Sequence, residues 1–132
     1  MDREGTVMDE FIGSWESELG SVLTIEKIEH NQLIGTFTTH TGSTQGTYMM
    51  VGSIGFDESL VESDVGGSVG WVVSWNSGTS PENSVTTWTG QFKKNTDKQY
   101  IIVATWLYCR GMKPEDDWNS TLIGSNTFNK IK

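Results

Sequence analysis

Basic residues are scarce in this chain. Lysine and arginine number 9 against 17 aspartates and glutamates, a formal net charge of −8. Such a surface repels nucleic acid and anionic membranes, and no basic cluster is placed to override the total. Long apolar runs are missing too, and none approaches the roughly 20 residues that a bilayer-spanning helix needs. The only cysteine, Cys109, leaves no intrachain disulfide possible. The opening Met1-Asp2-Arg3-Glu4-Gly5-Thr6-Val7 has no apolar leader segment. Residues 1–11 therefore read as a flexible N-terminal extension. Helical periodicity is almost absent, as are linkers, long-period repeats and low-complexity tracts.

Residues for catalysis or metal binding are equally thin. His30 and His40 fall in a turn and at a strand end, and no cysteine or carboxylate pattern completes a metal site around them. Asp57-Glu58-Ser59-Leu60-Val61-Glu62-Ser63-Asp64 is acidic, but its spacing is not that of a calcium loop. Glu115-Asp116-Asp117 reads as surface charge at a helix start rather than as a hydrolytic carboxylate pair. No nucleophile–base constellation is visible. The reading is a non-enzymatic domain without metal or cofactor. Asn119-Ser120-Thr121 is a glycosylation sequon in form, relevant only in a secretory pathway.

What the chain has in quantity is tryptophan, 6 residues, and glycine, 15, within 132 residues that suit one domain. Short β-rich runs recur between Gly, Asn, Asp and Ser. They predict strands near Gly13–Ser17, Val22–Ile28, Leu33–His40, Thr47–Phe56, Ser68–Asn76, Ser84–Lys93, Gln99–Cys109 and Ser120–Lys130. Glu29-His30-Asn31-Gln32 and Lys94-Asn95-Thr96-Asp97-Lys98 read as turns, and Lys113-Pro114-Glu115-Asp116-Asp117 as a helical turn started by proline. Eight evenly spaced strands suit an all-β, eight-stranded antiparallel up-and-down β-barrel spanning about residues 12–131, with room inside for one small ligand. A two-sheet sandwich is the rival on strand count alone.

Alternation sorts the faces. Ser84, Thr86 and Trp88 share one side, as do Ala104, Trp106 and Tyr108. Opposite the latter run Ile101, Val103, Thr105, Leu107 and Cys109. A strand apolar on both sides needs cover on both, so the outer side points to another subunit. Trp15 and Trp71 read as core residues plugging a barrel end.

Three groups of segments carry a more specific signal. They are Gly13-Ser14-Trp15-Glu16-Ser17-Glu18-Leu19-Gly20-Ser21 with Gly35-Thr36-Phe37-Thr38-Thr39; Gly70-Trp71-Val72-Val73-Ser74-Trp75 with Ser84-Val85-Thr86-Thr87-Trp88-Thr89-Gly90-Gln91; and Trp106-Leu107 with Trp118-Asn119-Ser120-Thr121-Leu122-Ile123-Gly124 and Phe128. Together they resemble the avidin and streptavidin family of biotin-binding proteins, from about Gly13 to Lys130.

The resemblance implies a barrel that captures biotin without covalent chemistry and sequesters the vitamin. Biotin joins a polar ureido ring and a thioether ring to an apolar tail ending in carboxylate. Its ureido group must find partners or cost several kcal/mol on burial. By resemblance Ser17 and Ser21 face the ureido oxygen, on one side with Leu19. Thr39 accepts from one ureido N–H and Asn126 from the other. Thr86 meets the thioether sulfur. Trp75, Trp88 and Trp106 wall the rings, and Phe37 and Tyr108 belong to the same site. Ser84 and the Thr41-Gly42-Ser43 loop hold the carboxylate. Trp118 closes a neighbouring subunit's pocket, which implies a homo-oligomer, most simply a tetramer. Thr105, Ile123 and Ser125 would form a second, weaker contact.

Three residues depart from the family pattern. Phe37 stands where tyrosine is usual, which removes a donor worth roughly 1.5–3 kcal/mol, on the order of 10- to 100-fold in affinity. Ser17 replaces asparagine, and Tyr108 replaces an aliphatic wall. Tight binding, weaker than the family's extreme, is expected. A barrel carrier for an apolar ligand would want a cup without these hydroxyls. A Trp-rich carbohydrate-binding module would want its aromatics outside.

Overall fold

A computed structural model describes residues 6–40, 45–57, 61, 65–76 and 82–131. A short helix α1 (Val7–Phe11) leads into β1 (Gly13–Ser17), β2 (Val22–Glu29), β3 (Gln32–Thr39), β4 (Gly46–Ile54), β5 (Gly67–Ser74), β6 (Ser84–Lys94), β7 (Tyr100–Arg110) and β8 (Thr121–Lys130). A 3₁₀ turn, Pro114–Asn119, joins the last two strands, with the proline in its first turn as the sequence predicts. The strands follow one another in order, and β8 pairs back onto β1 to close the barrel. Every pairing is antiparallel. The eight-stranded barrel expected from strand spacing is therefore the observed fold, and a two-sheet sandwich is excluded.

Alternation places the core. On β3, Leu33, Gly35, Phe37 and Thr39 are buried while Gln32 and Ile34 are exposed. On β6, Thr86, Trp88 and Phe92 point in while Thr87, Thr89 and Gln91 point out. The turns have local causes. His30 and Asn31 both adopt positive φ, 52° and 66°, as a tight two-residue hairpin with a right-handed strand twist requires. In the β6–β7 turn the Asn95 side chain accepts from the backbone N–H groups of Asp97 and Gln99 at 2.8 and 3.0 Å.

The two rims differ. One carries α1 and the β2–β3, β4–β5 and β6–β7 connections. There Phe11, Trp15, Phe56 and Phe92 pack together, with Phe11 and Phe92 4.6 Å apart between ring centroids. The Trp15 indole N–H donates to the Phe11 carbonyl at 2.9 Å. Residues 6–11 thus depart from the flexible extension expected of residues 1–11. Thr6 and Asp9 form a reciprocal capping box, and Val7 and Phe11, four apart, bury themselves in the core. Burying a phenylalanine contributes about 1.5–3 kcal/mol, enough to hold a helix too short to form alone. Trp15 plugs this rim as expected. Trp71 is core too, but sits mid-strand on β5, stacked on Trp88 with centroids 5.4 Å apart.

The opposite rim carries the β1–β2, β3–β4, β5–β6 and β7–β8 connections. Apart from Thr41 and Ser43, the sequence-predicted ligand residues lie at it or on the inward faces of the strands that lead to it.

Candidate binding site

The rim and its inner wall can be built strand by strand. Ser17 ends β1, and its side chain is buried by the β1–β2 turn. Its Oγ accepts from the backbone N–H groups of Leu19 and Ser21, both at 3.2 Å. A hydroxyl has two acceptor sites and one proton. Both acceptor sites are used by the turn, so what Ser17 has left to offer is a donor. Ser21 is half-buried where the chain re-enters β2. Thr39 is buried at the end of β3, opposite Gly46. Thr41 and Ser43 lie outside the described residues.

Indoles set the next layer. The Trp75 N–H donates to Thr86 Oγ1 at 2.8 Å, which leaves the Thr86 hydroxyl proton uncommitted. The Trp88 N–H donates to Asn126 Oδ1 at 3.1 Å. Asn126 in turn donates from Nδ2 to Glu18 Oε1 at 2.9 Å. Phe37 lies between the two tryptophans, 4.8 Å from Trp88 and 6.0 Å from Trp75 between centroids. Tyr48, opposite Phe37 on β4, meets Trp75 edge-on at 4.8 Å. Trp106 stands opposite Trp88, Tyr108 opposite Thr86, and Ser84 opposite Arg110 on the paired β6 and β7. The inward parity expected for 84/86/88 and 106/108 is therefore the parity observed.

Trp106 owes its position to a glycine. Gly124 is its partner on β8, and a Cβ there would fall 2.1 Å from Cζ2 and 2.4 Å from Cε2 of the indole. Only a residue without a side chain lets the ring lie against that backbone.

Leu19 does not join the site. It is 71% exposed in the β1–β2 turn, where the two-residue alternation of an extended strand no longer applies. Trp118 is 82% exposed on the 3₁₀ turn, so within one chain it covers nothing. Ile123 is 71% exposed, and Thr105 and Ser125 also face out. Cys109 faces out as well, with the Thr121 hydroxyl donating to its sulfur at 3.7 Å.

Two residues that strand patterns could not reveal complete the wall. Tyr48 sits on a strand with no motif of its own. Glu18 lies inside the quoted first segment but in the turn, where parity is silent. Besides Asn126, its carboxylate accepts the Thr127 backbone N–H at 2.7 Å. Partial burial pushes the Glu18 carboxyl up, but hydrogen bonds from Asn126, Thr127 and its own backbone outweigh this, and its pKa lies below the ordinary glutamate value. Because Nδ2 is held by Glu18, the Asn126 amide can turn only its oxygen toward the barrel. That oxygen keeps one acceptor site beyond the Trp88 bond.

The arrangement is a binding constellation: donors at Ser17 and Thr86, an acceptor at Asn126, and aromatic walls. Among the described residues no cluster of three or more His, Cys, Asp or Glu side chains is placed to hold a metal ion. The model of the Avidin family matches residues 6–131, from the cap of α1 to the end of the barrel. With that match over nearly the whole length and the closed eight-stranded topology, this chain belongs to the avidin family.

Proposed function

We propose that this protein binds biotin non-covalently inside the barrel, performs no chemistry on it, and serves to sequester the vitamin. The observation that carries the reading is the pattern of unspent hydrogen-bonding capacity on the inner wall. A cyclic urea needs donors for its oxygen and acceptors for its N–H groups. Ser17 retains a donor because the turn uses both of its acceptor sites. Asn126 retains an acceptor because Glu18 holds its amide nitrogen. Thr86 retains a proton to meet a thioether, and Thr39 supplies a further buried hydroxyl. Trp75, Trp88, Trp106, Phe37 and Tyr108 supply the apolar contact for the fused rings, and Ser21 and Ser84 the flanking hydroxyls. In this reading Thr41 and Ser43, on the β3–β4 connection, help hold the tail carboxylate.

The working form is a homo-oligomer, most simply a tetramer, in which Trp118 crosses to close a neighbour's pocket. The support is its 82% exposure, together with exposed Leu107, Leu122 and Ile123 on the outer faces of β7 and β8. Apolar side chains grouped this way seldom stay wet.

Adding biotin while following tryptophan fluorescence and melting temperature tests the proposal. A ligand that binds only the folded state stabilises it by about 4 kcal/mol when present at about 1,000 times its Kd. A melting temperature that rises with biotin concentration, together with altered indole emission, is expected. Biotin that moves neither signal would refute the assignment.

A further inference from the structure

Trp118 rides on the 3₁₀ turn Pro114–Asn119, and that turn has little of its own to fix it. None of its residues is buried, and residues 111–118 are all exposed. Lys113 at its N-cap makes no side-chain hydrogen bond, and no basic residue stands in its last turn. Backbone bonds curl the segment, among them Asp116 N–H to the Lys113 carbonyl at 2.8 Å and Ser120 N–H to the Asp117 carbonyl at 3.1 Å. Bonds of that kind hold the shape of a turn and leave its direction on the barrel open.

The barrel reaches the turn through Arg110, the last residue of β7. Its backbone N–H donates to Ser120 O at 2.9 Å. Its side chain turns to the β8 side, where one Nη donates to the Asn119 carbonyl at 3.3 Å. Among the described residues no other side chain of the barrel hydrogen-bonds residues 111–119, and no carboxylate forms an ion pair with Arg110. The last carbonyls of a helical turn have no partner inside it and lie at the negative end of its dipole. A cation that hydrogen-bonds them is a fitting cap. This turn has no such residue of its own, and Arg110 supplies one from β7. The next residue, Gly111, is anchored by its N–H to the Asn83 carbonyl at 2.9 Å. The guanidinium therefore acts from a fixed base, and its grip falls one residue after Trp118.

We propose that Arg110 is a positioning residue: by capping the Asn119 carbonyl it holds Trp118 in the orientation that closes the neighbouring subunit's pocket. This rests on the reading that Trp118 crosses between subunits onto bound biotin. A closing residue that is already aimed loses less freedom when it closes, so the grip lengthens the time the ligand stays bound. The guanidinium contributes little to the fold itself. Arg110 Nε is buried without a partner, and removing an unmet donor offsets the loss of the Asn119 bond.

Two measurements on the full chain test the proposal: the rate of biotin release, and fluorine NMR of fluorotryptophan-labelled protein, with the Trp118 resonance assigned as the one lost in Trp118→Phe. Arg110→Gln should speed release by about 3- to 10-fold, the scale of one hydrogen bond. The melting temperature of the ligand-free chain should stay within about 2 °C. Without ligand, the Trp118 resonance should move in Arg110→Gln while the other tryptophan resonances hold still. On a Trp118→Ala background the same substitution should add no further acceleration. Arg110→Lys keeps the charge without the planar fork and should restore part of the slow release; if Arg110→Gln does not fold, Arg110→Lys carries the same test with a smaller acceleration. Unchanged release, an unmoved Trp118 resonance, or equal acceleration with and without Trp118 overturns the positioning role while leaving biotin binding intact. A wild type that binds no biotin, or a Trp118→Ala chain that releases it as slowly as the wild type, overturns the reading on which the role rests. The fluorine resonance, read without ligand, tells that failure from a failure of the grip.

Discussion

Replacing Gly124 by alanine perturbs the binding wall through one added methyl group. Its carbon would sit 2.1, 2.4 and 2.9 Å from Cζ2, Cε2 and Cη2 of Trp106. Carbon atoms rest at about 3.5–4.0 Å, so the indole must retreat by about 1.4 Å at its nearest atom. Trp106 is only half-buried, so the ring has somewhere to go, and the displacement is away from the Gly124 backbone. Overpacking costs about 1–3 kcal/mol, and the available space places this change near the lower end. For a chain of this size the melting temperature should fall by about 3–5 °C. The effect on ligand should be larger. A tryptophan buries about 150–250 Å² at roughly 25 cal/mol/Å². Losing a quarter to a third of that contact costs about 1–2 kcal/mol, on the order of 5- to 30-fold in affinity. Scanning calorimetry and a biotin titration of the same preparation measure both. A variant with unchanged melting temperature and unchanged affinity would show that Trp106 does not lie on the Gly124 backbone, and the wall as described would be wrong.

Other substitutions probe separate groups. Because the Glu18 pKa is depressed in the folded chain, its contribution is present above the unfolded value and is lost as pH falls through the folded one. Biotin affinity followed from neutral pH to about pH 3 should therefore drop at the acid end in the wild type. Glu18→Gln should be about 3- to 10-fold weaker at neutral pH and flat across that range; a wild-type profile equally flat would remove Glu18 from the account. Phe37→Tyr should tighten biotin by roughly 10- to 100-fold. It should also destabilise the ligand-free chain by about 1–3 kcal/mol, because the new hydroxyl is buried among Trp75, Trp88 and Phe128. Trp118→Ala should leave the melting temperature of the isolated chain within about 2 °C, given the exposure of the side chain, yet weaken biotin binding and shift the mass measured under native conditions; unchanged mass and affinity would argue against exchange between subunits.

How far the sequence reveals the site depends on whether the backbone is extended. Along β3, β6 and β7 the two-residue period carries Phe37, Thr39, Ser84, Thr86, Trp88, Trp106 and Tyr108 to one wall, and the barrel leaves them there. The same rule misleads at Leu19, because the chain turns between Ser17 and Ser21 through Gly20 at φ 87° and the alternation is broken. Glu18 is hidden for the same reason, since its role comes from a contact to Asn126 across the β1–β8 seam, 108 residues away in sequence. The helix α1 escapes a reading by periodicity because five residues are too few to show a period. Its one visible signal is local, a threonine three residues before an aspartate, with valine and phenylalanine four apart. Gly124 reads as part of a motif, but the clash that explains it exists only once β7 and β8 are paired.

Isothermal titration of the intact protein with biotin bears most directly on the central claim. Saturation at one ligand per chain is predicted, with a negative heat-capacity change from apolar surface removed from water and loss of affinity on Asn126→Ala. A flat titration at protein concentrations well above any meaningful Kd, or tight binding that persists unchanged in Asn126→Ala, would contradict it.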